Sequence, residues 1–475
     1  MKYMKLMEKK ESMENFTANS NFIGKFKNIL NKVSFLSGKM IWIILIPLAI
    51  IAATDQGIYI ALLEQIQKDI DGYFTGGVAE AVYIASIAVY TIIFGYFADK
   101  RKRKWLMFIG AITSGVFYLL TAFTFDFISL IIIRAIAGIG IGSIMPLAFS
   151  MLSDSISTGS RSKAFSFWGV ATLLGNGIGA MIGGGYVFTG EGVSVPYLWH
   201  EPFIYIGIIG IMIGILPLFT KEPKRAAKED QFKFLQSNDA LKYSYRIKLK
   251  DLKNIYKRRS NFWLVVNFID TIAPGLLVAY ILPYFFNYMT FDIILVIVLI
   301  MVFVGLLIGN FGLAFLADML YKKNKNWRAK MAIICAIFEL PFTAVALFLL
   351  PYYGTSVAMS IFIGINLAIG LTFTFGIGPN WYGSLIDVNL PENRGTMIAT
   401  ATFLDQIGRA IGTAIGGYIA FQFSLLAAIQ SSTFFMFLSI LPWIPVLYYI
   451  SGDLKVVDTI LSKRAVEIKE KAYKK

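Results

Sequence analysis

Residues 146–184 read PLAFSMLSDSISTGSRSKAFSFWGVATLLGNGIGAMIGG, and residues 379–417 read PNWYGSLIDVNLPENRGTMIATATFLDQIGRAIGTAIGG. The two stretches share one skeleton at a single offset, 379 − 146 = 233. The repeated pairs are Pro146/Pro379, Asp154/Asp387, Arg161/Arg394, Gly175/Gly408, Gly179/Gly412, Gly183/Gly416 and Gly184/Gly417. In each copy an apolar segment ends in a polar loop and a glycine-spaced apolar segment follows. This pattern is typical of a membrane protein with two related halves.

The composition also places the chain in a bilayer. Of its 475 residues 57% are hydrophobic and only 15% are charged, which is too apolar for an ordinary soluble protein. A spanning helix needs about 20 apolar residues, and twelve runs meet that length. They lie at 40–64, 78–98, 105–124, 128–152, 163–189, 201–219, 261–287, 292–317, 329–350, 356–385, 395–422 and 424–450. The prediction is an all-α membrane protein with two pseudo-symmetric six-helix halves.

The basic residues give the orientation. The net charge is +15, and Lys and Arg concentrate in segments on one side of the predicted helices. The segments on the other side contain Lys68 and several acidic residues, Glu80 among them. The positive-inside rule then places both termini in the cytoplasm. We expect the cell membrane as the location, and no nucleic acid is needed as a partner. The predicted parts are a cytoplasmic segment 1–39, a half 40–220, a cytoplasmic loop 221–260, a half 261–450 and a cytoplasmic tail 451–475.

Two basic segments have apolar residues at helical spacing. Residues 20–36 and 248–257 each combine such a stripe with lysines, which predicts helices lying on the anionic inner leaflet. A solvated basic linker is the alternative for both. The single histidine, His200, falls in an outer loop, so a histidine relay across the membrane is excluded. No phosphate-binding glycine motif, cofactor motif or metal-ligand pattern occurs.

The loop between the second and third helices carries a family motif. It reads Gly95-Tyr-Phe-Ala-Asp99-Lys-Arg-Lys-Arg103-Lys and resembles the Gly-x-x-x-Asp-(Arg/Lys)-x-Gly-Arg-(Arg/Lys) signature of the major facilitator superfamily, with Lys102 in place of the usual glycine. The second half keeps Asp318, with Ala314 for the glycine and lysines 322 and 323 one turn later. The resemblance covers nearly the whole chain. It implies a secondary transporter, not an enzyme, that works by alternating access, and we expect a monomer.

The same resemblance predicts a cytoplasmic gate. In the family this cluster latches the two halves together, and it opens when the substrate site faces inward. The candidate gate residues here are Gly95, Asp99, Arg103, Asp154, Arg161, Asp318, Asp387 and Arg394. The alternative is that they only fix topology and loop shape.

Six charges fall within the hydrocarbon part of the predicted helices, away from the helix ends, where each costs at least a few kcal/mol unless paired or facing water. They are Asp55, Arg134, Asp270, Glu339, Asp405 and Arg409. At a rise of about 1.5 Å per residue, Asp55 and Arg134 lie roughly 13 and 9 Å below the outer surface, so they can meet. Arg134 also matches the helix-four arginine that is implicated in proton coupling in many family members. Proton coupling and a permanent structural ion pair both remain open.

The second-half charges allow several interpretations. Asp405 and Arg409 are spaced i, i+4, which favours either a local ion pair or the binding of an ionic substrate. Asp270 has no evident cation and is a candidate second protonatable or ligand site, whereas Glu339 is more easily explained as protonated or locally paired. Polar and aromatic residues predicted to line a cavity are Gln56, Tyr59, Asn267, Tyr280, Tyr284, Asn366, Thr372, Trp381 and Tyr382.

The functional prediction is a proton-coupled secondary transporter of a small organic solute. An anionic solute is the first choice because Arg134 and Arg409 are available to face it. A lysolipid, another amphiphile or a drug is the alternative cargo, although Ile141 stands where lipid-transporting members tend to carry an acid. A receptor or scaffold that has lost transport is the alternative class. The glycine rows at spacing four predict close helix contacts that let the halves move.

Overall fold

A computed structural model of the chain describes residues 41–62, 65–66, 69–70, 75–190, 198–226, 228–232, 234, 243, 245, 258–288 and 293–473. The two predicted interfacial helices, at 20–36 and 248–257, lie outside these ranges.

Helices correspond to all twelve predicted spans. They are α1 (Trp42–Ala61), α2 (Thr75–Lys100), α3 (Arg103–Thr121), α4 (Phe127–Ala137 and Ile139–Ser155), α5 (Arg161–Gly190), α6 (Glu201–Gly214), α7 (Arg259–Val266 and Ile272–Tyr288), α8 (Ile293–Leu307 and Ala314–Tyr321), α9 (Trp327–Leu349), α10 (Val357–Asp387), α11 (Arg394–Gln422) and α12 (Leu425–Tyr473). Ten of these, within the described ranges, are long and apolar enough to cross a membrane. The other two are α7, which a 3-10 turn at Asn267–Thr271 interrupts, and α11, which carries charges. The predicted fold class is confirmed.

The helix–helix contacts of the first half recur in the second half. Helix α1 packs on α5 as α7 packs on α11, and α3 packs on α6 as α9 packs on α12. Between the halves, α2 contacts α11 and α5 contacts α8. Each contact therefore has a counterpart between the equivalent helices of the other half, as expected for two related halves. We call the end of the bundle that carries Asp99 and Asp318 the inner end, because the basic residues predict it to be cytoplasmic.

The repeated residues occupy equivalent places. Pro146 and Pro379 lie inside α4 and α10, and Arg161 and Arg394 begin α5 and α11. The glycine rows face neighbouring backbones: a Cβ on Gly412 would lie 2.0 Å from the carbonyl oxygen of Ile272. The predicted close approach of helices is confirmed in both halves, since only glycine leaves room for such contacts.

Helix α12 extends well beyond the predicted span. The apolar run ends at 450, yet the helix continues to Tyr473. The extension has an apolar stripe that packs in one cluster with Phe232 of the loop between the halves; the stripe residues are Val457, Leu461, Ala465 and Ile468. A helix can therefore leave the membrane and continue because one face still has a partner.

Candidate functional site

A guanidinium and two carboxylates from three helices form an ion cluster inside the first half. Arg134 on α4 donates from Nη1 to Asp55 Oδ2 on α1 at 2.8 Å, and from Nη2 to Glu80 Oε2 on α2 at 2.9 Å. Gln56 Nε2 donates to the other oxygen of Glu80 at 3.2 Å. Asp55 and Arg134 thus form the contact that their depths predict. The role of this contact in proton coupling stays a prediction. We call Asp55, Glu80 and Arg134 the first-half cluster.

Two tyrosine rings enclose the guanidinium of this cluster. The Cζ of Arg134 lies 4.0 Å from the ring centroid of Tyr59 and 4.1 Å from that of Tyr83, both within cation–π range. The side chains of Arg134 and Asp55 are 0% exposed, whereas that of Glu80 is 12% exposed. In this conformation Arg134 is therefore occupied by the protein's own groups and is not open to a substrate anion.

The charges of the first-half cluster do not balance. Two carboxylates and one guanidinium leave one negative charge without a partner when both acids are ionised. An unpaired charge buried in a low-dielectric interior costs several kcal/mol. Binding of one proton removes that excess, so the arrangement is chemically suited to take up and release a proton.

Glu80 is the member of the cluster that sequence reasoning missed. Its position near the predicted start of helix two suggested an outer-side acid. In the structure α2 begins at Thr75, so Glu80 lies inside the helix. Of its whole surface, backbone included, 9% is exposed. Tyr83 follows at i+3 on the same helical face. The signal available in the sequence is the i, i+3 spacing of Glu80 and Tyr83, together with an arginine, Arg134, inside another predicted membrane helix.

The second half places its charges differently. Arg409 is exposed, Asp405 and Asp270 are half-buried, and Arg409 interacts electrostatically with both acids. The predicted i, i+4 contact of Asp405 with Arg409 is absent from the described ion pairs within 4.0 Å. Helical spacing permits such a contact but does not enforce it. An exposed guanidinium halfway along a membrane helix must face water rather than lipid, so Arg409 is an accessible cation within the membrane-spanning part of this half.

Glu339 on α9 lies deeper in the second half. It is 2% exposed, its Oε2 has no hydrogen-bond partner, and it interacts electrostatically with Asp270. The described ion pairs include no cation at Glu339. A local pairing therefore does not account for it within the described residues.

The predicted cavity-lining residues are mostly packed in this conformation. Gln56 and Tyr280 are half-buried, and Tyr280 donates from its hydroxyl to the carbonyl oxygen of Thr413 at 2.7 Å. Less than a tenth of the surface is exposed in five others, Tyr59, Asn267, Tyr284, Asn366 and Trp381. Trp381 ties α10 to α7 through a 2.8 Å bond from Nε1 to the carbonyl oxygen of Leu264.

At the inner end, one aspartate from each half caps a helix of the other half. Asp99 accepts hydrogen bonds from the backbone N–H groups of Gly395 and Thr396 at 3.0 and 2.7 Å, at the start of α11. Asp318 accepts from the backbone N–H groups of Ser162 and Lys163 at 3.3 and 2.9 Å, at the start of α5. A carboxylate at a helix N-terminus is stabilised by the unpaired N–H groups and the helix dipole. The two halves are joined twice by the same device.

A Cβ on Gly95 would lie 2.1 Å from the Cβ of Ala399 on α11. The signature glycine of α2 therefore permits the close contact that the Asp99 cap requires.

Arginine pairs complete the inner end. Arg103 Nη1 lies 2.7 Å from Asp154 Oδ2 within the first half, and Arg161 Nη1 lies 2.9 Å from Asp387 Oδ1 across the halves. In the second half the expected cations, lysines 322 and 323, are exposed. Arg328 of α9 takes that place and bonds Asp318 at 2.7 Å, an interaction that the motif spacing did not predict.

The two pseudo-symmetric bundles of apolar helices are those of a multi-pass membrane protein. The chain belongs to the Major Facilitator Superfamily, whose sequence profile matches residues 45–413. The family and the fold are those of transporters and not of enzymes, as the sequence predicted.

The relatives that match the chain do so at low sequence identity. The chain is 29% identical to Protein spinster of Drosophila melanogaster over 35% of its own length and 27% of that protein. It is 23% identical to the hexuronate transporter of Bacillus subtilis (strain 168) over 70% of its own length and 76% of that protein. The chain thus spans about a quarter of the Spinster relative.

Among solved structures, the E. coli fucose:proton symporter has the same fold. The TM-score is 0.63 at 15% identity, and the match covers 86% of this chain and 98% of that one.

Proposed function

We propose that the protein is a proton-coupled secondary transporter that moves a small organic solute across the cell membrane by alternating access. The observation that carries this proposal is the buried cluster in which Arg134 bonds both Asp55 and Glu80. The three groups come from three helices and have one acid too many. A proton on either acid therefore changes which helices Arg134 holds together.

The coupling step needs only these side chains. A neutral carboxyl group binds a guanidinium more weakly than a carboxylate does, so protonation loosens one of the two bonds of Arg134. The more exposed acid, Glu80, lies on the solvent side of the cluster, where a proton enters. Because the inner end is bonded, we assign the described conformation to an inner-closed part of the transport cycle.

For the substrate, we place an anionic solute on Arg409. Arg409 is exposed, whereas Arg134 is enclosed. The charge of Arg409 suits a carboxylate, and a hexuronate carries one. The relative named as a hexuronate transporter makes D-glucuronate a reasonable first test solute.

Proteoliposomes with an imposed pH gradient test the coupling. The wild type is expected to accumulate labelled D-glucuronate, while Asp55→Asn and Glu80→Gln are each expected to lose gradient-driven accumulation because the cluster no longer needs a proton. Exchange of solute without a gradient should persist in both variants. Asp126→Asn is the matched control, since Asp126 is an exposed acid that caps α4 through Ser129. Undiminished accumulation in Asp55→Asn would contradict the coupling role.

The substrate site has a separate test. Arg409→Gln is expected to raise the KM for D-glucuronate about tenfold or more, because a charge-assisted hydrogen bond contributes about 1.5–3 kcal/mol. The dependence of uptake on the pH gradient should not change. An unaltered KM would remove Arg409 from the site.

Other cargo gives other outcomes. Transport of a fluorescent lysolipid but not of D-glucuronate would favour the amphiphile alternative. A folded protein that moves no solute from a broad panel would favour a receptor or scaffold.

A further inference from the structure

A segment between the two halves is inserted into the inner end. It comprises residues 222–232, of which all but 227 are described, and we call it the wedge. Its first contact is a 2.7 Å ion pair between Glu222 and Arg103. Three residues later, Arg225 donates to the carbonyl oxygen of Ala98 at 2.5 Å and lies 3.6 Å from Asp99. The wedge thus reaches the residues that cap α11.

One carboxylate of the wedge serves both repeated arginines. Glu229 Oε1 bonds Nη2 of Arg161 and, at 2.7 Å, Nη2 of Arg394. These arginines are equivalent in the duplication, 394 − 161 = 233, so Glu229 lies where the two halves meet. It is 5% exposed. The acid of the first half, Asp154, reaches Arg394 only at 4.0 Å, so Glu229 provides the close carboxylate for this arginine among the described ion pairs.

The backbone of the wedge is strained at Ala226, which is buried. Ala226 has φ 61°, the one positive φ among the described non-glycine residues, and is 1% exposed. Its N–H donates to Asp154 Oδ1 at 3.0 Å. A left-handed alanine is unfavourable and persists only where its surroundings hold it. The strain shows that the segment is fitted to this place rather than merely passing it.

The far end of the wedge is held by the extension of α12. Phe232 is fully buried in the apolar cluster with Val457 and Leu461, and Gln231 donates to Asp458 at 3.0 Å. The wedge is therefore fixed on both sides, by arginines within the bundle and by an apolar helix face outside it.

We propose that the wedge, through Glu229, is the removable bond that sets the balance between the inner-closed and inner-open conformations. When the halves part at the inner end, Arg161 and Arg394 separate, and one carboxylate cannot follow both. Opening therefore requires Glu229 to leave at least one arginine. The proposal goes beyond the proposed function, since it holds for any substrate.

Protonation does not release the wedge at physiological pH. Burial raises the pKa of Glu229, but the guanidinium groups of Arg161 and Arg394 outweigh this effect and hold the pKa at about 2, below its usual 4.5. The stabilisation from this bond is thus fully present above about pH 4.5 and is lost only as the pH falls through about 2. The wedge is a mechanical bond and not a pH switch.

Pulsed electron–electron double resonance between two spin labels tests the role of the wedge without a substrate. Spin labels at Lys102→Cys and Lys323→Cys, both exposed sites on opposite halves, in a Cys335→Ala background report the separation of the inner ends. Glu229→Gln is expected to raise the long-distance, inner-open population about tenfold, in the usual range of a conformational coupling. Asp230→Asn, the same change at the exposed next residue, should leave the distribution unchanged.

A second variant keeps the test decisive if Glu229→Gln folds poorly. Ala226→Gly relieves the left-handed strain and keeps every charge, so it is expected to shift the population towards the inner-closed distance, opposite to Glu229→Gln. Distance distributions that match the parent in both variants would overturn the proposal. Loss of D-glucuronate transport with an intact wedge response would instead count against the proposed function alone.

Discussion

Arg134→Gln is expected to lower the stability of the purified protein by about 3–5 kcal/mol, the usual cost of removing one partner from a buried ion pair. The substitution leaves Asp55 and Glu80 as neighbouring carboxylates with no cation, and Asp55 is 0% exposed. It also leaves Tyr59 and Tyr83 without the guanidinium between their rings. Gradient-driven transport should be abolished. Thermal unfolding in detergent and uptake into proteoliposomes measure the two effects.

The reason for the instability can be isolated by neutralising the acids. If unpaired charge is the cause, Arg134→Gln in an Asp55→Asn, Glu80→Gln background should recover most of the stability while transport stays uncoupled. Arg409→Gln is the matched control, because Arg409 is exposed and has no close carboxylate among the described ion pairs, and its unfolding temperature should barely change. Equal stability of Arg134→Gln and the wild type would show that the cluster is not energetically important.

The fold was accessible from the sequence because its causes are local or repeated. Apolar length determines the spans, the offset of 233 between Pro146 and Pro379 relates the halves, and the glycine spacing determines which helix faces meet. The meeting of Asp55 and Arg134 followed from depth alone. None of these inferences required knowing which residues of distant segments touch.

Two of the partners that the sequence did not predict are distant in the chain. Glu80 is 54 positions from Arg134, and Glu229 is 68 from Arg161. Neither distance carries a spacing rule. Arg328 lies ten positions after Asp318 and outside the duplicated motif, whose spacing predicts lysines 322 and 323 as the cations. Asp405 and Arg409 illustrate the opposite case. Their i, i+4 spacing allows a local ion pair or a site for an ionic substrate, and the wider environment decides which of the two forms.

Two glycines of α5, half a turn apart, are expected to respond to alanine with opposite signs. A Cβ on Gly179 would lie 2.2 Å from the carbonyl oxygen of Thr54 and 2.8 Å from the backbone nitrogen of Ile58, both on α1. A Cβ on Gly177 meets nothing within 4 Å. Gly179→Ala should therefore lower stability by about 1–3 kcal/mol, the range of an overpacked contact. Gly177→Ala should raise it by about 0.5–1 kcal/mol, because alanine favours the helix.

The same pair tests whether helix contact and coupling are linked. Thr54 precedes Asp55, so an alanine at Gly179 that pushes α1 away from α5 also moves the carboxylate that Arg134 bonds at 2.8 Å. Gly179→Ala is thus expected to lose most gradient-driven uptake even in the fraction that stays folded, whereas Gly177→Ala should transport as the wild type does. Uptake per folded molecule, from proteoliposomes matched by size-exclusion yield, decides this. If Gly179→Ala is less stable but transports normally per molecule, the α1–α5 contact supports only the fold, and the position of Asp55 is set by Arg134 and not by the glycine row.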